Sequence, residues 1–424
     1  MPKLNLIPKD FSTVWIFSMA SKALQVVITV LLVRILTIED YANYTVFFTT
    51  SSTILGVTGQ SVALAYVRYN TERMSESGGS CKDSLVVFSQ LLNLGCTALL
   101  LIGTYPLAEL MGVSAQLMLA SIVYGFFLGA VQLNIAFFQS RERYAKSGII
   151  DNAKQVVLLG ALAIAIALGA GSLGSVVAAY CISGLICAMY SYVLIAKSSR
   201  GDEGGVTLAL NSSEAREFLV VSVWLILYSI TTQLYNQMNI TMLSVFGTQH
   251  DVAEFGVASK YYSMLLILLP SIKTVLRVRM SKAEMTHSTV KQRQFAVKWF
   301  KRTGVLFAVG IAVCAIGSTF AFPLLNGEQY NKAILTFQIL SLSAFFAYFL
   351  APSSALIMSL NRYRLQFGIA IISLAINLIG NMLLIPQMGS AGTAIATTLS
   401  QLVLNILMTM VVFRVGSKER HSLK

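Results

Sequence analysis

Apolar runs of about 20 residues, the length a helix needs to cross a bilayer's hydrocarbon core, recur along the whole chain. They cover residues 11–33, 44–66, 84–107, 115–138, 146–168, 175–196, 218–246, 254–276, 303–325, 333–358, 366–386 and 391–413. Barrel strands would be about half as long and would alternate polar with apolar residues. The pattern therefore predicts an all-α polytopic membrane protein with about twelve transmembrane helices. The first run follows Lys3 and Lys9 and ends without an A-x-A-like site, so it reads as an uncleaved helix and not a signal peptide.

Composition agrees: 56% of the residues are hydrophobic and only 12% charged, with a mean hydropathy of +0.71. A water-soluble domain carries about twice that charge. The net charge of +13 could suggest a nucleic-acid partner, but the placement of the charges argues against one. Twenty-five Lys and Arg residues fall in the tails and in the loops on the side of the N-terminus, against Arg34 and Lys332 in the opposite loops. Positive charge marks the cytoplasmic side, so both termini are expected there, and the basic stretch from Arg277 to Arg302 is expected to rest on anionic headgroups.

Two halves of the chain resemble each other. At an offset of 211, Thr37, Asp40, Ala42, Tyr44 and Val46 fall on Thr248, Asp251, Ala253, Phe255 and Val257. Further on, Ser140, Arg143 and Tyr144 match Ser359, Arg362 and Tyr363, and Gly171-Ser172-Leu173-Gly174 matches Gly389-Ser390-Ala391-Gly392. Six helices per half is an even number, so the halves form parallel repeats, an arrangement suited to two bundles that rock about a central site. The expected division is a lobe at 1–200, a cytoplasmic linker at 201–216 and a second lobe at 217–424.

Little in the chain resembles an active site. There is no G-x-x-x-x-G-K-[ST] phosphate loop, His250, His287 and His421 lie outside the spans, and Glu39-Asp40 reads as a loop entry and cap. Cys81, Cys96, Cys181, Cys187 and Cys314 have no metal-ligand spacing and read mostly as small core residues. The chain is therefore expected not to be an enzyme, and to need no cofactor or metal.

The candidate chemistry lies inside the spans. A lysine in hydrocarbon costs at least about 2.5–3.5 kcal/mol, so Lys22, Lys154 and Lys260 should face the bundle interior or a wet cavity. At 1.5 Å of rise per residue, Lys154 lies roughly 12 Å above the cytoplasmic end of its helix, and Lys260 roughly 9 Å below the outer end of its own. Asp151, three residues before Lys154, can pair with it and reads as the one embedded acid, a charge partner or ion-coupling group. Gln25, Gln233, Asn236 and Gln237 are the candidate polar wall of a cavity. Thr231, Thr232, Asn239 and Thr241 crowd the same stretch of the run at 218–246, which could instead serve interhelical hydrogen bonding. Gly56 with Gly59, and Pro270, are candidate bending points, equally compatible with tight packing.

Several segments carry a family resemblance: Leu36-Thr37-Ile38-Glu39-Asp40-Tyr41 with Tyr44, Gly59 to Arg68, Asp251 to Gly256, and Met388 to Ala396. Through them the chain resembles the polysaccharide flippases, the branch of the multidrug/oligosaccharidyl-lipid/polysaccharide exporter superfamily that includes the O-antigen flippases. The resemblance implies two six-helix lobes in a V around a central cavity, in a bacterial inner membrane. The implied cargo is an undecaprenyl-diphosphate-linked oligosaccharide, moved to the periplasmic leaflet by alternating access. Membrane lipids, and a polysaccharide polymerase with its chain-length regulator, are the partners such a flippase implies. Two alternatives are a cation-coupled multidrug exporter and a glycan polymerase. The first needs carboxylates deep in a lobe. The second needs a large outer loop, and the outer connections here are only about ten residues, set by the spans.

Overall fold

The computed structural model describes residues 9–76, 84–169, 171–199, 212–267, 289–349, 351–353 and 363–422, with residues 269, 272, 276 and 357 singly. These residues are almost entirely helical, with no strand among them. In order they form α1 (Lys9–Ile35), α2 (Ile38–Ile54), a π-helical turn (Leu55–Gln60), α3 (Ser61–Glu76), α4 (Ser84–Ile102), α5 (Thr104–Leu110), α6 (Ala115–Ser140) and α7 (Tyr144–Ala167). Then follow α8 (Leu173–Ser199), α9 (Ser212–Phe246), α10 (Gln249–Leu265), α11 (Thr289–Asn326), α12 (Lys332–Phe349) and α13 (Tyr363–Ser422). Among the described residues the expected spans are largely helical, the last two falling in α13, where Gly389 leaves the helical region and divides them. Eight helices among the described residues are long and apolar enough to cross a membrane, and the chain is a multi-pass membrane protein.

The chain divides into two compact units, Met1–Gln237 and Met238–Lys424. Of the expected linker, 201–211 lie outside the described residues and 212–216 begin α9. Pro270 and Cys81 also lie outside them.

In the first unit α6 is the central helix, packed on α2, α3, α4, α7 and α8 and buried through most of its length. Tyr44, Phe47, Tyr124 and Tyr180 form an aromatic cluster, and the hydroxyls of Tyr44 and Tyr180 are 2.8 Å apart. With no water in the bilayer core, polar side chains must find partners across helices. Thr58 donates to Asn93 Oδ1 (2.6 Å) and Asn93 donates to the Phe126 carbonyl (3.2 Å). Gln90 donates to Asn134 Oδ1 (2.9 Å) and Asn134 to Ser191 (2.8 Å).

Gly56 and Gly59, expected as bending points or sites of tight packing, lie in the π-helical turn. A Cβ at Gly59 would lie 2.6 Å from the Gly129 Cα, so two backbones meet with no flexible atom between them. Gly59→Val is therefore expected to destabilise the fold by about 1–3 kcal/mol through overpacking. Thermal unfolding in detergent micelles would read this as a lowered midpoint. Gly95→Ala is the control: a Cβ there meets nothing within 4 Å, so the midpoint should not move beyond helix propensity.

The second unit has its own core, formed by Leu269, Leu276, Tyr348, Ile369 and Met408 with their neighbours. Asn381 donates to Asn239 (3.0 Å) and to Asn377 (3.1 Å), tying α9 to α13. On α11, Val305, Leu306, Phe320 and Leu324 are largely exposed, as a lipid-facing surface requires. The cysteine expectation holds only in part: Cys187 is buried and Cys181 half-buried, but Cys96 and Cys314 are exposed.

The repeated Thr–Asp pairs prove to be helix caps. Thr37 accepts from the Asp40 amide and caps α2. Thr248 accepts from the Asp251 amide in a full capping box on α10. The Glu39-Asp40 pair is thus a structural entry, as its sequence suggested.

Candidate functional site in the first helical unit

The site begins where α1 and α7 approach closely. Gly148 permits this, because a Cβ there would sit 2.5 Å from the Phe17 ring. Asn152 fixes the register by donating to the carbonyls of Phe17 and Gly148, both at 3.0 Å. This contact brings Lys22, on α1, into the field of Asp151 and Lys154 on α7.

Lys154 Nζ is 3.1 Å from Asp151 Oδ1, the i, i+3 pair expected from the sequence. The buried Ser21 side chain lies close to Asp151. Lys22 Nζ donates to Gln25 Oε1 at 3.1 Å. Lys154 thus pairs with the carboxylate while Lys22 lies in the field of both, so the cluster holds two ammoniums and one carboxylate. Each ammonium has three donors, so donors remain for an incoming anion.

Beside this cluster is a cavity of about 270 Å³, lined by Phe17, Gln60, Gln132, Ile135, Gln139, Tyr144, Ser147, Gly148 and Asp151. It lies toward the end of the unit where α6 turns into α7. The sequence reading missed this cavity, because its amides come singly from the π-helical turn and α6 and share no local motif. Their only linear signal is Gln132 and Gln139 at i, i+7, two turns apart on one face of α6.

The other candidate residues lie apart from this group or in different surroundings. Lys260 is on α10 in the second unit, half-buried. Gln233 packs against the π-helical turn, its Cβ 2.7 Å from where a Gly56 Cβ would be, while Asn236 is exposed and Gln237 half-buried. Thr231 and Thr232 donate to carbonyls of their own helix and Asn239 pairs with Asn381, so these three serve packing.

Asp151 is not the one embedded acid. Glu254 is almost fully buried, accepts from Ser390 at 2.9 Å and lies 3.0 Å from His250 Nε2. Its signal was the i, i+4 spacing from His250 at the boundary of a span.

The model of a protein family described as "Polysaccharide biosynthesis protein" matches residues 8–283, well over half the chain. The chain belongs to the polysaccharide biosynthesis protein family. No curated protein sequence matches it. Solved structures share the fold of this family member. One is an inward-facing multidrug resistance MATE family transporter of the MOP superfamily, at 13% identity, with 96% of each chain covered and a TM-score of 0.76. Another is the lipid II flippase MurJ in an inward closed conformation, at 14% identity, covering 94% of this chain and 87% of that one, with a TM-score of 0.75. A third is a MOP superfamily transporter from Pyrococcus furiosus, whose binding pocket is described as reversed in polarity. It is 14% identical, with 96% of each chain covered and a TM-score of 0.68. At such identities the likeness is one of fold, a two-lobe helical transporter architecture.

Proposed function

We propose that this chain is a flippase that moves an undecaprenyl-diphosphate-linked oligosaccharide from the cytoplasmic to the periplasmic leaflet of a bacterial inner membrane. The product would serve O-antigen or a related surface polysaccharide. The observation that carries this reading is the Lys22–Asp151–Lys154 cluster with Gln25, a net-positive site built into the membrane-spanning part of a polysaccharide biosynthesis family member. A diphosphate leaving the headgroup region needs positive partners, and lysines supply mobile point charges.

In this scheme the lobes are residues 1–200 and 217–424, and the termini are cytoplasmic, by the bias of basic loops. Lys260 provides a later cationic station, while Gln233, Asn236 and Gln237 offer polar groups to sugars. The polymerase and its chain-length regulator would take up the product. Alternating access exchanges the open face and needs no covalent chemistry. A cavity for cationic drugs fits less well, because paired lysines repel such cargo.

The test is to delete the gene, restore it, and measure which leaflet holds the lipid-linked repeat unit. Accumulation at the cytoplasmic leaflet, relieved by the restored gene, is expected. Units that reach the periplasm but fail to polymerise would return the polymerase reading and sink this one.

A further inference from the structure

Regular helix is lost at the same place in both halves of the chain. In the first unit the break is the π-helical turn, the only one among the described residues. At the offset of 211 that aligns the Thr37 and Thr248 caps, Leu55 falls on Leu266, the residue at which α10 stops. The Leu55 amide reaches the carbonyls of both Ser51 and Ser52, and the Leu266 amide those of both Tyr262 and Met264. The residues that follow are unrelated, Gly-Val-Thr-Gly-Gln in one half and Ile-Leu-Leu-Pro-Ser in the other. A shared local sequence therefore does not hold the break in place, which leaves a requirement common to both units.

The first break is built to rearrange. A π-helical turn bonds residue i to i+5 and so holds one residue more than an α-helical turn, a rare geometry found mostly at functional sites. Its closing bond runs from the Ser61 amide to the Gly56 carbonyl, which also accepts the Ser61 hydroxyl at 2.6 Å. The Thr58 hydroxyl has one hydrogen and two acceptors, the Ile54 carbonyl of its own helix at 2.9 Å and Asn93 Oδ1 on α4 at 2.6 Å. Moving that hydrogen trades a bond within the helix for one across helices, so neither arrangement strands it. Gly56 faces Gln233 of α9, and Gly59 faces the Gly129 backbone of α6, with no side chain of their own to interlock. Gln60, the last residue of the turn, lines the cavity beside Asp151.

We infer that the π-helical turn is a hinge of the transport cycle, in which the extra residue passes along the helix toward α3. The residues it passes, Gln60 first, turn by about 100° on the helix face, which carries the Gln60 amide out of the cavity wall. The rest of α2 and α3 stays in place, because the extra residue is moved and not lost. This inference rests on the flippase reading and adds to it the point at which the first unit bends.

The test deletes Val57, a half-buried residue of the turn. Ser61 then stands four residues from Gly56, so the same amide–carbonyl bond becomes an α-helical one and both flanking segments keep their faces. The full chain without Val57 should keep the wild-type thermal midpoint in detergent micelles. In the leaflet assay it should transfer lipid-linked units about tenfold more slowly or worse, as loss of a hinge predicts. A folded deletion variant that transfers like wild type overturns the inference. If the deletion lowers the midpoint, amide exchange on the wild-type chain in lipid nanodiscs decides. Amides 56–61 should exchange about tenfold faster or more than 47–52 and 62–67, since a hinge opens locally; exchange no faster than in those flanks overturns the inference. Failure of the restored wild-type gene to relieve accumulation sinks the flippase reading instead, and the exchange rates at 56–61 still decide the hinge.

Discussion

Lys154→Gln alone is expected to reduce transfer of lipid-linked oligosaccharide at least tenfold, and the added substitution Asp151→Asn is expected to recover part of the loss. The reason is the charge count of the cluster. Two ammoniums and one carboxylate leave a single net positive charge, with Lys154 3.1 Å from Asp151 and Lys22 in the field of both. Removing either lysine brings the site to zero and leaves the other facing the carboxylate. A hydrogen bond to a charged group is worth about 1.5–3 kcal/mol, and each 1.4 kcal/mol is a factor of ten. One lost ammonium therefore costs about tenfold to a hundredfold in diphosphate affinity. Neutralising Asp151 in the Lys154→Gln background returns the site to one positive charge and frees Lys22.

A purely structural Lys154–Asp151 pair makes a different prediction. Breaking such a pair leaves one partner unsatisfied, and removing both restores stability without restoring transport. The two cases separate when leaflet transfer and thermal midpoint are measured on the same four proteins: wild type, each single variant and the double. Recovery of the midpoint without recovery of transfer would remove Asp151 and Lys154 from the cargo path. Coupling between the two substitutions is expected to be non-additive because Lys154 and Asp151 are in direct contact.

The contrast between what the sequence showed and what it hid follows from the range of the interactions. Helix positions were legible because span length and apolar runs are local properties, and the described residues of the twelve runs are largely helical. The Thr37–Asp40 and Thr248–Asp251 caps were legible for the same reason, since a cap needs only residues three apart. The Lys154–Asp151 pair is also an intrahelical contact. Lys22 is different: only the packing of α1 on α7, enabled by Gly148 against Phe17, places it beside that pair. Gln60, Gln132 and Gln139 converge for the same nonlocal reason. The polar stretch of α9 shows the reverse difficulty. Sequence registers its polarity but not its partners, and Asn239 spends its amide on Asn381.

The matching Gly-Ser-x-Gly turns of the two halves should respond oppositely to substitution, although their sequences are nearly the same. Gly389 has φ 54° and ψ −127°, and a Cβ there would lie 2.0 Å from Asp251 Oδ1. That oxygen accepts the Ser390 amide at 3.1 Å, while Oδ2 accepts the Thr248 amide at 3.0 Å and its hydroxyl at 2.6 Å. An alanine at 389 would thus strain the backbone and push aside the carboxylate that both caps α10 and anchors the break in α13. Backbone strain of about 1–3 kcal/mol and loss of a cap worth about 1 kcal/mol together predict a severe fall in the thermal midpoint. Gly392→Ala should behave likewise, since its Cβ would meet the Leu384 carbonyl oxygen at 2.4 Å. In the first half, a Cβ at Gly171 meets only a side-chain methyl of Ile35 at 3.3 Å, and one at Gly174 only the Ser172 hydroxyl at 4.0 Å. Gly171→Ala and Gly174→Ala should therefore leave the midpoint nearly unchanged. Adding Asp251→Ala to Gly389→Ala removes the clash but not the backbone strain, so the double variant should be less destabilised than the two single losses added together. Equal midpoints for Gly389→Ala and Gly171→Ala would show that the Asp251 anchor bears no stability, and that the two turns are equivalent in energy as well as in sequence.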